Sequence, residues 1–135
     1  MTEALVTHDA PEVHVPALIA CTVDPSALVR EHGTAYARDL VANVAGSLEA
    51  RVAVVRRALG AGDRRLAAFS ARSLKSVAEV VGAPRLAQVA AHVEHTGLLV
   101  DLHVLEAVAA GAREAMDAWL AETAEVLRPY QPSYC

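Results

Sequence analysis

The sequence predicts an all-α protein: an antiparallel up-down four-helix bundle, preceded by a short extra helix and an N-terminal arm. Three observations carry this. Hydrophobic residues make up 54% of the 135 positions but aromatic residues only 4%. The apolar content is therefore mostly Ala, Val and Leu, which suits closely packed helices better than sheets of β-branched and aromatic strands. Apolar residues also recur at threes and fours over long stretches, the period of a helix with one buried face. Finally, the breaks at 60–63, 82–84 and 97–101 are short, and short links between long amphipathic helices make antiparallel neighbours.

The elements follow in order. Residues 1–12 are polar, and residues 13–23 (VHVPALIACTV) read as an apolar arm laid across the core. The arm, residues 1–22, precedes a bundle over 23–128 and a tail over 129–135. Asp24-Pro25 opens a short helix, an acceptor side chain followed by a proline whose missing N–H has no partner to lose. Gly33 ends that helix, and Thr34 is placed to cap a long one reaching about Leu59, with Leu40, Val44, Leu48, Val52, Val55 and Leu59 on its buried face. Asp63 caps the next helix, which runs to about Val81 with Leu66, Phe69, Leu74, Val77 and Val81 inward and Gly82 as its terminator. Pro84 opens a helix with Leu86, Val89, Ala90 and Val93 inward, ending near Gly97. Asp101 is placed to cap the last helix, whose stripe is Leu102, Leu105, Val108, Ala112, Met116, Trp119, Thr123 and Val126.

Several function classes are excluded by composition. Net charge is −4 with neutral histidines, so nucleic acid is not an expected partner, because phosphate binding needs a basic surface. Cys21 and Cys135 form no framework and no C-x-x-C, which points to a reducing cytoplasm. Leu18-Ile19-Ala20-Cys21 has the outline of a lipoprotein cleavage site, but Glu3, Asp9 and Glu12 precede it and Pro16 interrupts the apolar run. No uninterrupted apolar run is long enough for a membrane span. A monomer without cofactor is expected.

Chemistry-bearing motifs are sparse. There is no Glu-x-x-His pair for a di-iron site, no P-loop, no G-x-S-x-G and no H-E-x-x-H. His92 and His95 stand three apart on one helix around Glu94, and His103 could supply a third ligand from the next. That is a weak zinc constellation, since nothing sets a fourth ligand. The second constellation is Arg65, Ala68, Arg72, Lys75, Ser76 and Glu79, which falls opposite the apolar stripe and is expected to face solvent. Lys75 and Glu79 are spaced for an i,i+4 pair. Lys75 is also the single lysine among 12 basic residues.

The stretch FSARSLKSVAEVVGAPRLAQVAAHVE, residues 69–94, resembles the core of histidine-containing phosphotransfer domains. Leu74-Lys75 is similar to the family's L-K, Ala78 to a small position, and Gly82-Ala83 to its turn; Leu86, Val93 and Glu94 follow in register. Val23-Asp24-Pro25 with Leu28 is similar to the opening helix, and Ala58-Leu59-Gly60-Ala61-Gly62-Asp63 to the turn before the site helix, so the resemblance covers about residues 23–127. It implies a docking face for a receiver domain or histidine kinase, with Lys75 as the residue that steadies phosphoryl oxygens.

The departure lies at the nucleophile. The position of the family's phospho-accepting histidine is Arg72, and the small glycine after the lysine is Ser76. Phosphoryl transfer needs a neutral imidazole nitrogen to attack. A guanidinium stays protonated and has donors but no lone pair to offer. The resemblance therefore implies a non-catalytic phosphotransfer-like module whose Arg72/Lys75 face binds the carboxylate cluster of a receiver. Two alternatives stand beside it. One is a regulatory or scaffold bundle with a partner outside two-component signalling. The other is phosphotransfer through a displaced histidine, His92 or His95.

Overall fold

The structure, a computed structural model, describes residues 21–127. The described part is all-helical: α1 (Ser26–His32), α2 (Thr34–Gly60), α3 (Arg64–Val80), α4 (Pro84–Thr96), a 3-10 turn (Leu99–Asp101) and α5 (Leu102–Leu127). No strand occurs among the described residues. No described helix is long and apolar enough to cross a membrane. Most of the expected arm and all of residues 129–135 lie outside the described residues.

The helix ends follow local chemistry closely. Asp63 caps α3, its Oδ1 accepting from Leu66 N at 3.1 Å. Asp63→Ala is expected to lower stability by about 1 kcal/mol, read by urea denaturation, since it orphans that amide. Pro84 is the first residue of α4 and Gly97 closes it in the left-handed conformation. Two details differ. Thr34 makes no cap bond and Gly33 occupies the cap position, so Thr34 is simply the first helical residue. Asp101 does not cap α5; its Oδ2 accepts from Thr96 Oγ1 at 2.9 Å, across a 3-10 turn that the sequence pattern did not reveal.

One core is shared by all four long helices. α3 packs on α4 and α2, α5 packs on α2 and α4, and α1 lies on α2. Val41, Leu48, Val55, Leu74, Leu86, Val93, Leu105, Val108 and Met116 are fully or almost fully buried. Small residues fill the rest: Ala37, Ala45 and Ala58 in α2, Ala67, Ala71 and Ala78 in α3, Ala109 and Ala112 in α5. These shift two of the expected faces. Leu40 and Leu59 of α2 are only half-buried, and their places are taken by Val41 and Ala58. In α3, Leu66 and Phe69 point outward, and Ala67, Ala71, Leu74 and Ala78 form the inner stripe. Alanines let helix axes approach closely, and a phenylalanine on that line would hold them apart.

The chain before α1 is laid on this core where it is described. Cys21 and Val23 pack against core residues, and Cys21 Sγ donates to Val108 O at 3.3 Å. Burial pushes the Cys21 thiol up, against the weaker pull of Arg85. Asp24 N donates to Gly82 O at 2.8 Å, joining this segment to the α3–α4 turn. The helix begins one residue later than expected, at Ser26, and the Asp24 carboxylate receives both the amide and the hydroxyl of Ser26. Those two bonds hold the Asp24 carboxyl below its ordinary range. Arg38 Nη1 donates to Leu120 O and Thr123 Oγ1 at 2.5 and 2.6 Å, tying the start of α2 to α5.

Candidate functional site

The outward surface of α3 carries the charged face expected from the sequence. Arg65, Arg72, Ser76 and Glu79 are exposed, whereas Ala68 and Lys75 are half-buried, Lys75 beside α4. The difference follows from helix geometry. Positions 68 and 75 lie seven residues apart, almost eclipsed, on the flank nearest the neighbouring helix.

Arg72 is the centre of the face and is not a free cation. Its Nε donates to Glu94 Oε2 at 2.8 Å, across from α3 to α4. Arg72 remains 65% exposed while Glu94 is 22% exposed, so the carboxylate is the anchored partner and the guanidinium the outward one. Binding through Nε leaves both terminal nitrogens without an intramolecular bond among the described residues, still able to donate in the fork geometry carboxylates accept. Ser76 Oγ donates back to Arg72 O at 3.2 Å, a local bond that occupies its hydroxyl proton.

Lys75 and Glu79 line a shallow cleft with Pro84, Arg85, Ala87 and Gln88. They form no ion pair with each other, so the i,i+4 pair their spacing permits is not made. The lysine-first order is the weaker orientation for such a pair.

The histidine constellation is not gathered. His92 Nε2 lies 3.3 Å from Asp101 Oδ2, the carboxylate that also receives Thr96. His95 is exposed in the last turn of α4. His103 is 86% exposed, with Nδ1 4.0 Å from Glu106 Oε1. Among the described residues no group of three or more His, Cys, Asp or Glu side chains is placed to hold a metal. The third ligand that a zinc site on His92 and His95 needs is therefore not brought to them.

Two participants were not identified as such from the sequence. Glu94 stands beside the histidines in the sequence and in the register of the resembled family, and its 22-residue separation from Arg72 leaves no local sign of an ion pair. Phe69, expected to face inward, is 66% exposed one turn before Arg72. A signal for it did exist, since Leu66, Phe69, Ser73, Val77 and Val80 form a second line at helical spacing. Comparison with protein-family models, curated proteins and solved structures returned no match.

Proposed function

We propose that the chain is a cytoplasmic antiparallel up-down four-helix bundle of the phosphotransfer type that binds without catalysing. Its partner is a receiver domain or a histidine kinase, and the contact is the Arg72/Lys75 face of α3. The observation that carries this reading is Arg72 itself. It stands outward at the middle of α3, in the register where the resembled family keeps its histidine, with terminal nitrogens available to an acidic partner. The packing of four long helices around one core, joined by short turns, is in keeping with it.

On this reading a partner's carboxylates meet the Nη atoms of Arg72 while Glu94 keeps Nε and so orients the fork. Arg72→Ala is expected to weaken receiver binding by about 1–3 kcal/mol, measured by calorimetric titration against candidate receivers. Unchanged affinity would sink the arginine contact. Arg72→His is the complementary probe: it supplies the missing lone pair, and on incubation with an aspartyl-phosphorylated receiver, whose acyl phosphate bond breaks to return the carboxylate, acid-labile phosphoryl label on the variant alone is the expected result.

One observation favours the scaffold reading instead. Arg72 already has Glu94, and an exposed arginine satisfied by a neighbour is what an ordinary solvated face contains. Capture of no receiver or kinase by the wild-type chain, with Arg72→His still unlabelled, would favour that alternative.

A further inference from the structure

The apolar half of the α3 surface has a symmetry that points to its occupant. Leu66, Phe69 and Val80 are 43%, 66% and 52% exposed, and the half-buried Ser73 and Val77 complete the line between them. Counted from Ser73, these positions fall at −7, −4, 0, +4 and +7. In two antiparallel helices related by a two-fold axis through Ser73, each residue meets its mirror count on the mate. Leu66 then faces the mate's Val80, Phe69 faces the mate's Val77, and small Ser73 meets itself at the crossing, where the axes come closest.

The flanking charges obey the same rule. A two-fold axis of this kind brings each flank of the helix against the same flank of its mate. Arg65 and Glu79 lie on one flank, eight residues before Ser73 and six after it. Each arginine therefore comes within about 3 Å of rise of the mate's glutamate, inside the reach of its side chain. Arg72, which would face its own copy near the axis, is already neutralised by Glu94 at 2.8 Å. Beside the stripe, two shallow depressions against α2, one lined by Leu40, Ser47 and Arg51 and the other by Arg51 and Val54, give the mate's side chains somewhere to rest.

We infer that the chain self-associates through α3, as a two-fold antiparallel pair centred on Ser73 and built on Phe69, with reciprocal Arg65–Glu79 ion pairs. The pair is weak. A helix of 17 residues offers a face of about 26 by 10 Å, well short of the roughly 800 Å² per partner of a standard interface. The inference does not rest on the receiver-binding proposal, and it departs from the expectation of a monomer. Since the stripe adjoins Arg72, a second copy and an acidic partner would compete for α3.

Sedimentation equilibrium of the full chain from about 10 µM to 1 mM tests this. The expected result is a rise in mean mass toward the dimer over that range. Phe69→Glu is expected to keep the mass monomeric throughout, with an unchanged helical circular-dichroism spectrum. Arg65→Glu and Glu79→Arg should each weaken the dimer at least fivefold, and the double swap should restore it. Three results would overturn the inference: a monomeric wild type at 1 mM, a dimer indifferent to Phe69→Glu, or single charge reversals without effect. Loss of receiver binding with dimerisation intact would count against the proposed function alone.

Discussion

Gly82→Ala is expected to lower the melting temperature by about 10 °C or more, a loss of roughly 3 kcal/mol. Gly82 sits in the left-handed region at φ +73°, which an L side chain adopts only at a cost. The greater effect is the space. A Cβ there would overlap the carbonyl oxygen of Asp24 and stand 2.6 Å from its carbonyl carbon, and these are backbone atoms that cannot rotate aside. Relief requires the 21–25 segment to lift, breaking the 2.8 Å bond from Asp24 N to Gly82 O and withdrawing Val23 from the core. Gly46→Ala is the internal control. It lies in mid-helix with no atom within 4 Å of an added Cβ, and it should raise stability by about 0.5–1 kcal/mol. Thermal unfolding followed by circular dichroism reads both; a Gly82→Ala protein as stable as wild type would disprove the close approach.

Leu74→Ala is expected to cost about 2–5 kcal/mol, and Phe69→Ala within about 0.5 kcal/mol of nothing, although phenylalanine is the larger residue. Leu74 is 0% exposed at the centre of the shared core, so truncation leaves a cavity bounded by three helices. Phe69 is 66% exposed, and its ring keeps most of its hydration in the folded state. Urea denaturation at low protein concentration, where self-association is absent, compares the two. Equal losses would mean that Phe69 is a core residue.

That contrast follows from the two faces of α3. The helix carries two apolar lines: Ala67, Ala71, Leu74, Ala78 and Val81, and beside it Leu66, Phe69, Ser73, Val77 and Val80. Both have helical spacing, so periodicity alone does not choose between them. The residues expected inward mix the two, Leu66, Phe69 and Val77 from the outer line with Leu74 and Val81 from the inner one, because side-chain size ranks them together. Packing favours the line of alanines, because α3 lies against both α2 and α4 and a small inner stripe lets all three come together. The same preference leaves Leu40 and Leu59 half-buried at the edge of the core, packed against it, with Val41 and Ala58 fully inside.

The candidate site divides in a similar way. That Arg72 and Ser76 face outward follows from their place opposite Leu74 on the helix, and the sequence sufficed for it. That Lys75 is half-buried, and stands apart from Glu79, depends on how closely α4 lies alongside. Glu94 could become the partner of Arg72 only once α4 had packed beside α3.

The all-helical class, the short turns and most of the helix ends are legible in the amino-acid pattern alone. Those are decided within a few residues, by capping oxygens such as Asp63, by Pro84 at a first turn, and by Gly97 and Gly82 where φ is positive. Which line of α3 is core, which carboxylate holds Arg72 and how the Asp24 backbone closes on Gly82 depend on the assembled fold. Each of these joins residues far apart in the chain, and burial and close approach exist only after the helices have docked.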